Sequence, residues 1–202
     1  MHIERERRFR LSESDYRRLL GTLTWGPPSS VIDVTLGRHG ATSMETDGWV
    51  VRLRSDAGRA RLQFKGRLAG TDGFLEADVG VDSLPDAAEI LSLLGLKIDL
   101  VIARIRRQAT VAGVRLALDD VTCLGPFLEV EALGETIPDL PSHLVDHVDA
   151  TAECRSYGDL ILERLRTSTD WATVYNRESK RCLAGLQLVT SGMVEDPWLM
   201  DP

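Results

Sequence analysis

The chain has 202 residues and a formal net charge of −7, with 24 lysine and arginine residues against 31 aspartate and glutamate residues. This length fits one domain with a sizeable core, and an acidic balance argues against a general nucleic-acid binder. No apolar run is long enough to cross a membrane, and the N-terminus lacks the apolar core of a signal peptide. The three cysteines show no pairing motif, so we expect a cytoplasmic protein without a membrane or nucleic-acid partner.

Hydrophobic alternation predicts a chain that consists mainly of strands. The predicted strands cover residues 2–10, 30–36, 49–55, 59–66, 74–81, part of 98–112, 114–120 and 126–132. Three predicted helices follow the first, fifth and last of these strands, and they are capped by Ser12, Ser83 and Ser156. Ser142 begins a shorter helix.

Two segments lack a clear period. Residues 37–48 are expected to form a polar loop or a poor hairpin, and residues 170–202 show no regular spacing of apolar residues. We therefore predict a domain over residues 1–169 and an appended tail or closing segment over residues 170–202.

Charged residues recur at every second position in six short segments, with mostly apolar residues between them. The segments are Glu4–Arg10, Arg52–Arg54, Arg61–Lys65, Glu76–Asp78, Arg104–Arg106 and Glu129–Glu131. Residues two apart in a strand point to the same face of a sheet. A solvated face with weak surface ion pairs would explain any one segment. Six segments together favour a sheet curled around a charged lumen, with helices outside.

The two signs of charge in this lumen indicate different ligands. Arginine and lysine bind phosphate oxygens through charge-assisted hydrogen bonds. Clustered carboxylates repel one another unless a hard cation such as Mg²⁺ or Mn²⁺ lies between them. A lumen that holds both sets therefore predicts a site for a metal-bound polyphosphate.

Two stretches, Glu4 to Arg8 and Leu118 to Glu131, resemble motifs of the CYTH superfamily, the triphosphate tunnel metalloenzymes. Glu4 to Arg8 resembles the N-terminal ExExK signature, with arginine in place of its lysine. The run from Leu118 to Glu131 resembles a more specific motif, and Ser156-Tyr157 follows it in the expected order. Residues 33–37 depart from the family pattern because they lack its aromatic pair.

The resemblance implies an α+β fold, an eight-stranded antiparallel β-barrel that forms a triphosphate tunnel and has helices packed outside. The metal ligands that it implies are Glu4, Glu6, Glu129 and Glu131. The residues that it implies for substrate binding are Arg8, Arg52, Arg54, Lys65, Arg104, Arg106 and, on the opposite wall, Glu76. Asp119 would lie near the reacting phosphate and would share a catalytic role with Arg8.

The same resemblance implies a metal-dependent enzyme that acts on a nucleotide, thiamine triphosphate or tripolyphosphate, most simply a phosphohydrolase. One alternative is an adenylyl cyclase that converts ATP to cyclic AMP and pyrophosphate. Another is a non-catalytic nucleotide or polyphosphate binder. The sequence leaves open the choice between Mg²⁺ and Mn²⁺ and whether the chain forms a homodimer.

Overall fold

The protein is represented by a computed structural model. It describes residues 2–39, 43–68, 74–111, 113–132, 140–145 and 152–188. The strands are β1 (His2–Arg10), β2 (Ser29–Gly37), β3 (Trp49–Asp56), β4 (Arg59–Arg67), β5 (Phe74–Gly80), β6 (Lys97–Val111), β7 (Val114–Val121), β8 (Gly125–Ala132) and β9 (Ala152–Glu153). The helices are α1 (Glu13–Thr22), α2 (Ser43–Thr46), α3 (Leu84–Leu93), α4 (Ser142–Val145), α5 (Tyr157–Thr167) and α6 (Thr169–Gly185).

All strand pairs are antiparallel, and they form one sheet in the order β5-β4-β3-β2-β6-β7-β8-β1-β9. The N-terminal end of β1 also pairs with β5, through His2–Glu4, so the pairing returns to the strand where the sheet begins. Within the described residues this seam is short, with three residue pairs. The result is the predicted α+β arrangement of an antiparallel, barrel-like sheet with helices.

Local sequence signals explain several element boundaries. The β3–β4 hairpin turns at Ala57 and Gly58, whose φ angles of 48° and 79° suit a tight two-residue turn. Ser12 and Ser156 accept hydrogen bonds from backbone N–H groups at the starts of α1 and α5, as the sequence predicts. At α5 the carboxylate of Asp159 in turn accepts a hydrogen bond from the Ser156 N–H group, which completes a capping box.

The apolar residues between the charged positions form the core outside the barrel. Leu19 of α1 packs with Leu118 and Leu128 on the outer face of β7 and β8, and all three side chains are fully buried. Ala88 and Leu91 of α3 belong to a second cluster on the outer face of β2 and β3. None of the described helices combines the length and apolar composition that crossing a membrane requires.

The structure differs from the sequence prediction in three places. The predicted loop over 37–48 contains α2, and β9 adds a two-residue strand beside β1. Residues 169–185, most of which showed no period, form α6. The buried residues of this helix are Tyr175, Ser179 and Leu183, so its inner face carries too few large apolar residues to give a strong period. Residues 189–202 lie outside the described part, and the division at residue 169 stays a prediction.

Tyr175 joins α6 to the sheet. Its buried hydroxyl accepts a hydrogen bond from the Val101 N–H group at 2.9 Å and donates one to the Val101 carbonyl oxygen at 3.0 Å. β7 pairs with β6 only from Arg104 onward, so Tyr175 satisfies backbone groups at an edge that none of the described strands covers.

We expect Tyr175→Phe to lower the free energy of unfolding by about 1–3 kcal/mol, because two buried backbone groups lose their partner. Urea unfolding would measure the difference. The control is Thr173→Ala on the same helix, which removes an exposed hydrogen bond to the Thr169 carbonyl and should cost less than about 0.5 kcal/mol. Equal losses in the two variants would contradict the role assigned to Tyr175.

Candidate functional site

A cavity of about 370 Å³ lies inside the curled sheet. Among the residues that the structure describes, its wall carries equal numbers of basic and acidic side chains. The basic residues are Arg8, Arg52, Arg54, Lys65, Arg67, Arg104, Arg106 and Arg115. The acidic residues are Glu6, Asp33, Glu76, Asp78, Asp99, Glu129, Glu131 and Asp159.

Three carboxylates on β1 and β8 lie close enough to share a cation. The register of these strands places Glu6 opposite Glu131 and Arg8 opposite Glu129, so all four side chains point to the same face. Carboxylate oxygens of Glu6, Glu129 and Glu131 lie within 4.8 Å of one another. Oxygen donors in such a cluster fit Mg²⁺ or Mn²⁺.

Arg8 separates these carboxylates from the wall formed by α5. Its Nε donates to Glu129 at 2.9 Å, and its Nη2 donates to Glu6 at 2.5 Å. Its guanidinium group also lies over the Tyr157 ring, 4.2 Å from the centroid. Burial by itself would lower the pKa of Arg8, but Glu6 and Glu129 raise this pKa well above its usual value. Arg8 therefore stays charged.

Asp33 on β2 organises a second group of charges, although it is not among the site residues predicted from the sequence. Arg54 donates to both of its carboxylate oxygens, at 2.6 and 2.9 Å, and Arg104 donates at 2.8 Å. Burial would raise the pKa of Asp33, but Arg104, Arg54 and Arg52 hold it well below its usual value. One signal in the sequence could have identified Asp33. It is an aspartate within an apolar strand, and such a residue requires a charged partner.

Asp119 is fully buried behind the cavity wall. Arg106 donates to both of its oxygens, at 2.8 and 2.6 Å, and the Tyr157 hydroxyl donates to Oδ2 at 3.0 Å. Arg106 also forms an ion pair with Glu129. Asp119 therefore orients Arg106, and it does not line the cavity itself.

The opposite wall comes from β3, β4 and β5. Lys65 lies 2.9 Å from Glu76, which faces it across the β4–β5 pair. Arg52 donates to Gln63 at 2.7 Å, while its distances to Asp33 and Glu76 are 3.7 and 3.9 Å. Burial and the nearby Arg54 and Arg104 outweigh these two acids and lower the pKa of Arg52. Arg52 is thus a partly buried cation with weak acidic partners, and its charge is incompletely compensated.

The cavity brings together ten of the residues that the resemblance implied. They are Glu6, Arg8, Arg52, Arg54, Lys65, Glu76, Arg104, Arg106, Glu129 and Glu131. Asp119 lies one layer behind them, and the side chain of Glu4 lies outside the described part of the chain. The functional roles of these residues remain predictions.

Asp99 is a cavity residue that strand periodicity could not predict. Thr35 faces Leu100 and Leu36 faces Ile98, so Asp99 is the extra residue of a bulge in β6. Its side chain is 2% exposed and accepts a hydrogen bond from Ser43 at 3.0 Å. Burial, together with the nearby Asp47, raises its pKa to about 7.

The fold and the charged interior define a protein with an internal cavity that basic side chains line beside a cluster of three carboxylates. The profile of the CYTH domain matches residues 2–155, and the chain belongs to this family. No curated protein sequence gives a significant match.

Solved structures confirm the fold. The PH1819 protein from Pyrococcus horikoshii OT3 is 24% identical, with a TM-score of 0.66 over 80% of this chain and 99% of that one. A proposed adenylate cyclase from Vibrio parahaemolyticus is 16% identical, with a TM-score of 0.60 over 80% and 98%. HpAC1 from Hippeastrum, named as a proposed adenylyl cyclase with a dominant triphosphatase activity, is 15% identical, with a TM-score of 0.60 over 81% and 96%. At these identities the likeness extends to the fold alone.

The raised pKa of Asp99 gives a pH-dependent contribution to stability. Between about pH 4 and pH 7 the folded state keeps the proton that the unfolded state has lost, so the free energy of unfolding falls as the pH rises through this window. We expect the melting temperature of Asp99→Asn, measured relative to that of the wild type, to rise between pH 4 and pH 7. Above pH 7 the difference between the two melting temperatures should stay constant. The exposed Asp82→Asn is the control, and a difference that does not vary with pH would contradict the assignment.

Proposed function

We propose that the protein is a divalent-metal-dependent phosphohydrolase of triphosphates. The observation that carries this proposal is the meeting, in one cavity, of the carboxylate cluster of Glu6, Glu129 and Glu131 with buried and partly buried arginines from three strands, β1, β3 and β6. A site for phosphate alone would need no carboxylates, because they repel a polyanion.

The charge balance of the wall supports a requirement for metal. The described basic and acidic side chains line the cavity in equal numbers, so this part of the wall offers a triphosphate little net attraction. Glu6, Glu129 and Glu131 would hold Mg²⁺ or Mn²⁺. When bound, the cation would neutralise phosphate oxygens and polarise the reacting group.

The arginines would bind the phosphate groups of the substrate. Arg52 and Arg54 would bind phosphate oxygens from one wall, while Arg8 and Arg106 would bind them from the other. A water oxygen would attack the terminal phosphorus, the bond to the bridging oxygen would break, and phosphate and a diphosphate would leave with one proton released to solvent. Asp119 and Tyr157 would keep Arg106 and Arg8 oriented through the contacts described above.

The proposed compartment is the cytoplasm, and the proposed substrates are nucleotides, thiamine triphosphate and tripolyphosphate. Cys123, Cys154 and Cys182 are free thiols, as a reducing compartment requires.

Product analysis tests the proposal against its alternatives. The protein is incubated with ATP, GTP, thiamine triphosphate and tripolyphosphate, each with Mg²⁺ or Mn²⁺. Phosphate and the corresponding diphosphate would support hydrolysis, whereas cyclic AMP with pyrophosphate would identify a cyclase. Thermal stabilisation by metal-free triphosphate equal to that with metal, without turnover, would identify a binder.

We expect Glu131→Gln to raise the metal concentration for half-maximal activity by about tenfold or more, since it removes one charged ligand from the cluster. Glu131 suits this test better than Glu129, which is buried between Arg8 and Arg106. A magnesium titration measures the change. Glu163→Gln, an exposed acid outside the cavity, is the control, and a titration curve for Glu131→Gln that overlaps the wild-type curve would refute the metal role.

We expect Arg52→Ala to lower kcat/KM for a triphosphate by about tenfold to a hundredfold, because a partly buried cation with weak acidic partners is lost. Its melting temperature without ligand should stay within about 2 °C of the wild-type value, since the protein disfavours the charged form of Arg52. The exposed Arg59→Ala is the control. Unchanged kinetics in Arg52→Ala would remove Arg52 from the substrate site.

A further inference from the structure

Arginine side chains neutralise part of the carboxylate cluster formed by Glu6, Glu129 and Glu131. Nη2 of Arg8 lies 2.5 Å from a Glu6 oxygen and 2.7 Å from a Glu129 oxygen, so this nitrogen lies between the two acids. The second oxygen of Glu129 forms an ion pair with Arg106. The oxygens that fit a divalent cation are therefore already in contact with cations of the chain itself.

Arg8 commits all three of its side-chain nitrogens to this arrangement. Its Nε donates to Glu129 at 2.9 Å, its Nη1 donates to the Arg155 carbonyl oxygen at 2.7 Å, and its Nη2 donates to Glu6. A guanidinium group binds phosphate best through two parallel N–H groups. Both edges of Arg8 that include Nη2 already face protein oxygens, so Arg8 has to leave Glu6 or Glu129 before it can bind phosphate in this way.

A divalent cation bound by the same oxygens would meet the positive charge of Arg8 at short range. Repulsion between like charges is several times stronger at a partly buried site than in water, because the effective dielectric constant is lower. Close contact of Glu6 and Glu129 with Arg8 therefore opposes their contact with a divalent cation.

Tyr157 offers Arg8 a contact that does not depend on the carboxylates. The guanidinium group lies over the Tyr157 ring, 4.2 Å from the centroid, and Arg8 lines the cavity. The attraction between a cation and a ring face places no strict demand on the direction of the N–H groups. Arg8 can therefore turn from the carboxylates towards the cavity while it stays on the ring.

The residue type at this position fits a bridge between two acids. The sequence has arginine at position 8, where the ExExK signature has lysine. The ammonium group of lysine is a compact point charge, whereas the planar fork of arginine reaches two carboxylates at once. Arginine thus suits a side chain that holds Glu6 and Glu129 together.

We propose that Arg8 is an internal counter-cation, which a divalent metal ion displaces from Glu6 and Glu129. Displacement would release the fork of Arg8 for phosphate oxygens, so the metal ion would prepare the site for its substrate. This inference rests on the proposed function and adds to it a regulation of the same site by metal.

Binding of Mn²⁺ in the absence of phosphate tests the displacement without turnover. Mn²⁺ is titrated into the wild type, Arg8→Gln and the control Arg54→Gln, and the free ion is measured by electron paramagnetic resonance. Both variants lose one positive charge from the cavity wall. Arg54 donates to Asp33 on β2, so its removal controls for the general field of the cavity.

We expect Arg8→Gln to lower the dissociation constant for Mn²⁺ by about tenfold or more, because the competing cation is lost. The change in Arg54→Gln should stay below about threefold, since solvent and salt screen more distant charges. A residue that merely positioned Glu6 and Glu129 would give the opposite sign. Unchanged or weaker binding in Arg8→Gln, or equal strengthening in both variants, would overturn the proposal.

Thermal unfolding gives a second readout on the same proteins. Without metal, Arg8→Gln should melt below the wild type, because Glu6 and Glu129 lose a partner. Mn²⁺ should then raise the melting temperature of Arg8→Gln more than that of the wild type, since a tighter ligand stabilises the folded state more. An equal or smaller rise would contradict the displacement.

A measurement on the wild type does not depend on the folding of any variant. NMR follows the Nε–H signals of Arg8 and Arg54, assigned through the backbone, during a titration with Mg²⁺. Hydrogen bonds to Glu129 and Asp33 protect these groups from exchange with water. Saturating Mg²⁺ should speed the exchange of Arg8 Nε–H by about tenfold or more and change that of Arg54 by less than about twofold. Unchanged protection of Arg8 would overturn the proposal.

These readouts separate the displacement from the proposed hydrolysis. The expected pattern of Mn²⁺ binding, without hydrolysis of any triphosphate, would support the displacement and refute the proposed function. Metal-dependent hydrolysis with unchanged Mn²⁺ binding in Arg8→Gln would do the reverse. Absence of Mn²⁺ binding in all three proteins would overturn both.

Discussion

The compensation of buried charge is the constraint on which the rest of this structure depends. A carboxylate moved from water into a protein interior loses several kcal/mol of solvation, which only well-placed cations and hydrogen bonds restore. Asp33 meets this requirement with Arg54 and Arg104, and Glu129 meets it with Arg8 and Arg106. Each pair also fixes the orientation of a guanidinium group, so the charges that a ligand would meet are held in place before it binds.

This constraint links the strand register to the chemistry of the cavity. Antiparallel pairing sets Glu129 opposite Arg8 and Arg106 opposite Asp119, so the charged residues of neighbouring strands complement one another directly. A shift of one residue in any strand would move its charges to the outer face, where helices and apolar clusters lie. The hydrophobic core outside and the ion pairs inside therefore select the same register.

The helix α5 contributes both to the apolar clusters and to the cavity wall. Leu160 and Ile161 are fully buried in clusters that join this helix to the sheet, while Tyr157 at its first turn reaches the cavity. The Tyr157 ring lies beneath Arg8 and against the edge of Phe127, and its hydroxyl donates to Asp119. The packing of α5 thus determines the position of Tyr157, which contacts Arg8 and holds Asp119, the partner of Arg106.

The sequence by itself determined which residues face the cavity wherever strands are regular. Because the side-chain period of a strand is two, the alternation around Arg54, Arg106 and Glu129 was enough to place them inside, and the motif at Leu118 to Glu131 indicated the family. Only the tertiary structure decided the partners of these residues, the position of Asp119 behind the wall and the packing of α6. Asp99 shows the reason most clearly, since a bulge depends on how two strands pair and reverses the face that local alternation assigns.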